Sequence, residues 1–187
     1  MKFKSQHIVF SAPSGAGKTT IVKILLEKHP NLAISVSATT RAKRPFEKDG
    51  KDYYFLSPLQ FKRAAKENKF LEYEEVHGNI YGTLKDKVDE SVAAGKTVLF
   101  DIDVKGAKSI QQAYKDALLI FIKPPGKDVL RQRLIDRKSE DTETINKRLE
   151  RLDFEYEQAS FFNHVVVNDD LNTAVKEVEK LIIDDTE

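Results

Sequence analysis

The sequence contains no cysteine and no tryptophan, a single methionine, and almost no net charge. The absence of cysteine excludes disulfides, thiol catalysis and cysteine metal sites. A formal net charge of +1 on 187 residues provides no overall attraction to nucleic acid or to an anionic membrane. We therefore expect no nucleic-acid partner, and any affinity for an anion has to come from a local group of cations.

Long apolar runs are also missing. No stretch approaches the ~20 apolar residues that a membrane span needs, and the first residues, MKFKSQHIVFSAP, have too short an apolar run for a signal peptide. We expect a cytoplasmic protein with no membrane partner. With 40% hydrophobic and 33% charged residues, the chain has the composition of one ordinary globular domain. The four histidines do not have the spacing of metal ligands.

Short β-branched runs alternate with helical patterns, which is typical of an α/β domain with a mostly parallel central sheet. Continuous apolar runs predict strands buried on both faces at 97–102 and 118–123. The polar, partly antiparallel section between about 35 and 85 predicts a small insertion into this βα series. Further strands are expected at 7–10, 33–37, 52–56, 72–82 (with a turn at 78–79) and 164–167, and helices at 18–29, 58–68, 83–95, 109–114, 127–137, 143–160 and 171–183, with Thr83 as the cap of the third helix.

The stretch FSAPSGAGKTT carries the clearest chemistry. It matches most of the phosphate-binding loop G-x-x-x-x-G-K-[ST], although Ala12 stands where the first glycine is usual. Gly15 and Gly17 supply a permissive backbone, Lys18 a charge for phosphate oxygens, and Thr19 a hydroxyl ligand for Mg²⁺. The alternative is a glycine-rich turn with an incidental lysine, but the predicted strand before it and helix after it favour the phosphate loop.

Basic and aromatic residues downstream suit an acceptor that also carries a phosphate. Arg41 and Arg44 lie three apart and can converge on one phosphate, which arginine binds in a bidentate manner. Tyr53 and Tyr81 offer phenolic hydroxyls for the same group. Considered alone, two tyrosines in strands are more commonly half-buried packing residues.

Carboxylates are candidates for recognising the base and for holding the acceptor. A carboxylate such as that of Glu72 has two parallel acceptors that match the N1–H and N2–H₂ donors of guanine, although Glu74 and Glu75 in the run EYEE match equally well. Asp101 and Asp103 follow a buried strand, where open α/β sheets bind ligands. Both aspartates can instead be ordinary turn residues.

Three arginines bracket the polar stretch KSEDTET: Arg133, Arg137 and Arg148. Arginines that close over a transferring phosphoryl group stabilise its charge. A solvated helix face with ion pairs is the alternative for arginines in this segment.

Several stretches together resemble the guanylate kinase family. APSGAGKTT, SVSATTRAKRPFEKDGKDYYF, FLEYEEVHGNIYGT, VLFDIDVKGAKSI, INKRL and VVVNDDL occur in the order of the family across nearly the whole chain. The resemblance implies Mg²⁺-dependent transfer of the ATP γ-phosphoryl group to GMP, and also to dGMP, in purine nucleotide metabolism, without a tightly bound organic cofactor. It also implies a P-loop core at 1–34, 84–125 and 155–187, a GMP-binding lobe at 35–83 and a mobile helical lid at 126–154.

The resemblance also assigns roles to individual residues. Ser37 and Thr83 are expected near guanine O6, and Asn168 in the adenine pocket. The catalytic residues are expected to be Lys18, Arg41, Arg137 and Arg148, with Thr19 on the metal. The ATP site is expected to comprise Ala12, Pro13, Ser14, Gly15, Ala16, Gly17, Lys18, Thr19, Thr20 and Asn168, and the GMP site Ser37, Arg41, Arg44, Tyr53, Glu72, Tyr81, Thr83 and Asp101.

Two other functions compete with this prediction. Guanylate-kinase-like domains of scaffold proteins keep the fold but bind phosphorylated peptides, and many have lost the catalytic loop. A kinase for another nucleotide shares the loop but has no reason to keep the guanine-reading segment. The presence of Lys18, Arg41 and Glu72 together favours the enzyme. The sequence leaves open whether the protein is a monomer or a homo-oligomer.

Overall fold

The structure is a computed structural model that describes residues 2–76, 78–136, 142–150 and 152–184, with the backbone alone at 142, 147, 148 and 154. Its strands are β1 (His7–Ser11), β2 (Leu32–Ile34), β3 (Ala38–Thr39), β4 (Tyr54–Phe55), β5 (Phe70–Val76), β6 (Asn79–Leu84), β7 (Thr97–Asp101), β8 (Leu118–Lys123) and β9 (His164–Val167). Its helices are α1 (Lys18–Lys28), α2 (Pro58–Lys66), α3 (Lys85–Ala93), α4 (Val104–Ala113), α5 (Lys127–Asp136), α6 (Thr142–Glu150), α7 (Leu152–Gln158) and α8 (Leu171–Ile182), with a 3₁₀ turn at Ala159–Phe161.

Five parallel strands form the central sheet in the order β2-β7-β1-β8-β9. Helices cover both faces, so successive residues of β1 enter different cores. Ile8 and Phe10 pack with α1 and α8, whereas Val9 packs with α3 and α4 on the other face. The α/β fold with a mostly parallel central sheet is thereby confirmed. Among the described residues, none of the helices has the length and apolar character needed to cross a membrane.

A second, mixed sheet has the order β4-β3-β6-β5. Strands β5 and β6 form an antiparallel hairpin, and β3 pairs antiparallel with β6 and parallel with β4. Helix α2 is held against this sheet because Phe61 stacks on Phe70 with ring centroids 4.2 Å apart. The predicted inserted mixed sheet is therefore present.

Helices α5, α6 and α7 share a small apolar core of their own. It consists of Leu130 and Leu134 from α5, Ile145 from α6 and Leu152 from α7, each at most 4% exposed. These helices occupy the segment 126–154 for which we predict a lid, and the motion of that lid remains a prediction.

Two helix starts differ from the sequence-based expectation. The helix expected near Ser109 begins at Val104, because the carboxylate of Asp103 caps it by accepting a 2.7 Å hydrogen bond from the Gly106 amide. Thr83 does not cap α3. It lies within β6, and Leu84, which has no side-chain cap bond, is the N-cap residue.

His7 at the start of β1 makes the fold sensitive to acid. Its ring is 6% exposed and stacks on Tyr114 with centroids 3.7 Å apart. Burial lowers the pKa of His7 below its usual 6.5, although Asp116 and Asp89 oppose this shift. The unfolded chain therefore binds the proton more readily, and folding stability is lost as pH falls below 6.5 toward the folded-state pKa.

We expect His7→Phe to remove part of this acid sensitivity. The free energy of unfolding in urea, measured between pH 7.5 and 5, should decline less steeply in the variant than in the unmodified chain. His164→Gln, at the start of β9, is the control and should keep the original slope. Parallel pH profiles for the unmodified chain and His7→Phe would contradict this account.

Candidate active site

The turn between β1 and α1 forms a pocket. It encloses about 310 Å³ and is lined by Ala12, Pro13, Ser14, Gly15, Gly17, Lys18, Thr19 and Thr20. Gly15 and Gly17 have φ values of +93° and +94°, which other residues rarely adopt. Ala12 does not have a positive φ, so the position that lacks the usual glycine does not require one. The loop therefore presents main-chain amides at the start of α1 in the manner that anion binding needs.

Asn168 supports this loop from behind. It follows β9, is 4% exposed, and donates a 2.8 Å hydrogen bond from Nδ2 to the Ala16 carbonyl. A β-carbon on Gly17 would collide with the same amide. Arg133 of α5 donates to the Asn168 and Asp169 carbonyls at 3.0 and 3.2 Å. Helix α5 is thus linked to the phosphate loop through Asn168, whose predicted contact with adenine remains a prediction.

Lys18, Thr19 and Asp101 form one polar group at the carboxyl end of β7. The Lys18 ammonium forms an ion pair with one Asp101 oxygen and donates to the Ile102 carbonyl at 3.2 Å. The Thr19 hydroxyl donates to the other Asp101 oxygen at 3.1 Å. We expected Asp101 in the GMP site. The structure brings it to the phosphate loop, and its contact with GMP stays untested.

A second pocket of about 270 Å³ lies between β5 and α4. It is lined by Glu72, Tyr73, Glu74, Asp103, Lys105, Gly106 and Ser109. Glu72 stands opposite Thr83 in the hairpin, and the Thr83 hydroxyl donates to Glu72 Oε1 at 2.6 Å. Glu74 and Glu75 are exposed, whereas Glu72 is half-buried. Glu72, Glu74 and Glu75, which match guanine equally well in the sequence, therefore differ in their burial.

The surroundings of Glu72 also change its acidity. Burial raises the pKa of Glu72 above its usual value of 4.5; the Thr83 hydrogen bond opposes this rise and the charge of Asp103 adds to it. Asp103 therefore caps α4 and also lines the pocket of Glu72.

Arg41, Tyr53 and Tyr81 lie together on the mixed sheet. The Arg41 guanidinium is 5.2 Å from the centroid of the Tyr53 ring, and the Tyr53 ring is 6.0 Å from that of Tyr81. The Arg44 side chain is exposed, and Ser37 is half-buried beside β3. The side chains of Arg41, Tyr53 and Tyr81 are therefore brought together.

Glu47 also belongs to this group, although no sequence pattern identifies it as a site residue. Its carboxylate forms a bidentate ion pair with Arg41, with Nη2–Oε1 at 2.6 Å and Nη1–Oε2 at 3.1 Å. The one sequence feature that could have indicated this ion pair is the position of Glu47 as the first acidic residue after the basic stretch RAKRPF.

A cleft of about 630 Å³ between α4 and α7 borders both pockets. It shares Ala12 with the loop pocket, and Asp103, Lys105 and Ser109 with the second pocket. Arg137 lies outside the described residues, and for Arg148 in α6 the structure describes the backbone alone. The roles predicted for these two arginines remain predictions.

Comparison with known proteins agrees with this arrangement. The family model described as guanylate kinase matches residues 4–185. The chain belongs to the guanylate kinase family. It is 49% identical over 172 residues to a guanylate kinase from Chlorobaculum tepidum, covering 91% of this chain and 88% of the relative. It is 46% identical over 181 residues to a guanylate kinase from Bacteroides fragilis, covering 96% and 89%.

A solved structure shows the same fold. The crystal structure of guanylate kinase from Anaplasma phagocytophilum matches with a TM-score of 0.70 and 32% sequence identity, over 94% of this chain and 82% of that one. The guanylate kinase family is thus supported by sequence along the whole chain and by tertiary structure.

Asn168→Ala tests the support of the phosphate loop in this guanylate kinase family member. The Ala16 residue is fully buried, so loss of the amide leaves its carbonyl without this donor. We expect the free energy of unfolding to fall by about 1–3 kcal/mol. The exposed Asn172→Ala serves as the control and should change it by less than about 0.5 kcal/mol. Equal unfolding free energies for the two variants, measured in urea, would contradict the supporting role.

Proposed function

We propose that this chain catalyses the Mg²⁺-dependent transfer of the ATP γ-phosphoryl group to GMP, and also to dGMP, producing GDP or dGDP and ADP. The observation that carries the proposal is a half-buried carboxylate, that of Glu72, which is held by Thr83 in a pocket that shares lining residues with the cleft bordering the phosphate loop. Such an enzyme acts on nucleotides of the cytoplasm.

The donor would occupy the phosphate loop. The Lys18 ammonium would exchange the Asp101 carboxylate for the β- and γ-phosphate oxygens, which also carry negative charge. The amides of Gly15, Gly17, Lys18 and Thr19 would bind the remaining oxygens, whereas those of Ala16 and Thr20 donate to the Pro13 and Gly17 carbonyls at 3.1 Å. Asn168, beside the loop, would border the adenine.

The oxygen atoms near Thr19 fit Mg²⁺. The Thr19 hydroxyl donates its proton to Asp101, so its lone pairs point away from that carboxylate and can bind a cation. Hydroxyl and carboxylate oxygens are the ligand types that Mg²⁺ prefers, usually together with phosphates and water. When bound, the ion neutralises charge on the phosphates.

The acceptor would occupy the pocket of Glu72. Its carboxylate would accept from N1–H and N2–H₂ of guanine, while Ser37 and Thr83 would lie near O6. Adenine has a bare acceptor at N1, which would face the carboxylate unpaired. Arg41 and Arg44, with the hydroxyls of Tyr53 and Tyr81, would bind the GMP phosphate.

Closure would complete the site. The segment 126–154 would act as a lid that brings Arg137 and Arg148 to the ATP phosphates, over a core at 1–34, 84–125 and 155–187 and a GMP lobe at 35–83. Arginines near the transferring group stabilise its charge, and exclusion of water limits ATP hydrolysis. Positioning and electrostatics then supply most of the rate without a dedicated general base.

The proposed function is tested by comparing acceptors in an assay that couples ADP release to a colour change. We expect turnover with GMP and dGMP in the presence of ATP and Mg²⁺, and far slower turnover with AMP, dTMP and UMP. Glu72→Gln should raise the KM for GMP roughly 10- to 100-fold and leave the KM for ATP unchanged. The exposed Glu75→Gln is the matched control.

Two outcomes would contradict the proposal. ADP release that no acceptor stimulates would exclude the kinase activity. A preference for AMP, or an unchanged KM for GMP in Glu72→Gln, would exclude the base-reading role of this carboxylate.

The raised pKa of Glu72 predicts how GMP binding depends on pH. Protonation converts one acceptor oxygen of Glu72 into a donor, so the affinity for GMP should fall as pH decreases. Because the pKa of Glu72 is raised, this fall should begin at a higher pH than it would for a glutamate with the usual pKa of 4.5. Asp103→Asn removes one of the charges that raise this pKa but keeps an oxygen that can cap α4. In this variant, the loss of GMP affinity should therefore occur at a lower pH. We would measure KM for GMP between pH 5 and 8. If the KM for GMP rose at low pH in the same way in Glu72→Gln, a group other than Glu72 would be responsible for the pH dependence.

A further inference from the structure

Glu47 is an almost buried carboxylate whose described partners all belong to one short segment. It is 8% exposed, and it accepts three hydrogen bonds: two from the Arg41 guanidinium at 2.6 and 3.1 Å, and one from the Arg44 main-chain amide at 2.8 Å. A buried carboxylate is unfavourable unless it is paired and hydrogen-bonded. Its stability in this position therefore depends on the loop that carries the two arginines.

The ion pair uses one end of the Arg41 guanidinium. Both Nη1 protons are taken, one by Glu47 and one by the Ala42 carbonyl at 2.8 Å, and one Nη2 proton is taken by Glu47. The edge formed by Nε and the second Nη2 proton is not engaged by Glu47. That edge is the second bidentate surface of a guanidinium and matches two oxygens of a phosphate.

Aromatic rings lie close to the same guanidinium. The Tyr53 ring lies 5.2 Å and the Phe55 ring 5.8 Å from the Arg41 carbon Cζ, and the Tyr81 phenol also interacts with it. The carboxylate at one end and the neighbouring rings restrict the long arginine side chain. A ligand that binds the remaining edge does not have to restrain the side chain itself.

We propose that Glu47 is a positioning residue that holds Arg41 and the main chain of Arg44 so that both arginines are ready to bind the phosphate of the acceptor nucleotide. This inference rests on the proposed function, because the phosphate is that of GMP. Glu47 does not touch the nucleotide. It acts through Arg41, whose outer edge it leaves open, and through the turn that presents Arg44.

Glu47→Gln tests the role with little change in side-chain shape. Glutamine keeps one acceptor, but its amide group opposes the donors of the guanidinium. We expect the dissociation constant and KM for GMP to rise at least roughly tenfold, while the KM for ATP stays unchanged. The inhibition constant of guanosine, which lacks the phosphate, should stay within about twofold of that of the unmodified chain, because Glu47 acts on the phosphate-binding arginines alone.

Glu67→Gln is the matched control. It breaks an exposed glutamate–arginine pair with Arg63 at 2.9 Å, on α2 next to the same sheet, and lies away from the arginine loop. GMP, guanosine and ATP constants should all remain as in the unmodified chain. Glu47→Asp retains the charge but is one methylene shorter, so it should raise the GMP constants less than Glu47→Gln does. If Glu47→Gln does not fold, Glu47→Asp allows the same comparison of GMP, guanosine and ATP constants.

Two results would overturn the inference, and a third would overturn the proposed function on which it rests. Unchanged or tighter GMP binding in Glu47→Gln would show that the carboxylate is neutral or competes with the phosphate for Arg41. An equal loss of GMP and guanosine would show that Glu47 only supports the fold of the mixed sheet. If the unmodified chain does not phosphorylate GMP, the proposed function fails, whereas normal turnover with an unaffected Glu47→Gln excludes the role of Glu47 alone.

Discussion

The parallel pairing of β1 with β7 is the constraint on which the rest of the site depends. Phe10 lies opposite Asp101 in this register, so both strands end at the same edge of the sheet. The chain leaving β1 becomes the phosphate loop, and the chain leaving β7 supplies Asp101 and then Asp103. Lys18, Thr19 and Asp101 can meet only because the two strands end level with each other. A shift by one residue would point Asp101 to the opposite face.

Strand β5 of the mixed sheet forms the pocket of Glu72 together with α4 of the core. The hairpin of β5 and β6 sets Glu72 opposite Thr83, and Lys105 of α4 pairs with Glu74 of β5 at 3.4 Å, which connects the inserted sheet to the core. The phosphate loop is thus built on the central sheet, whereas the pocket of Glu72 is formed by β5 of the insertion together with Asp103 and α4 of the core. Asp103 lines both this pocket and the neighbouring cleft. In the proposed function, the phosphate loop and the pocket of Glu72 would each bind one of the two anionic substrates.

Much of this architecture was predictable from local sequence, and the exceptions have physical reasons. Buried apolar runs identify β7 and β8, and the glycines with Lys18 identify the loop, because these features depend on neighbouring residues alone. The Asp103 cap was missed because Gly106 in the first turn obscures a helical pattern. The partners of Thr83, Asn168 and Glu47 depend on strand register and on contacts that form only in the folded chain. Family resemblance predicts which residues belong to the site, but their contacts with each other are visible only in the structure.

The central claim is that the phosphate loop holds ATP and the pocket of Glu72 holds GMP. A crystal structure of the chain with GMP, Mg²⁺ and a non-hydrolysable ATP analogue tests it most directly. We predict the guanine edge within hydrogen-bonding distance of the Glu72 carboxylate, the GMP phosphate on Arg41, and the Lys18 ammonium on the β- and γ-phosphates instead of on Asp101. Guanine bound away from Glu72, or the triphosphate bound outside the loop, would contradict the account.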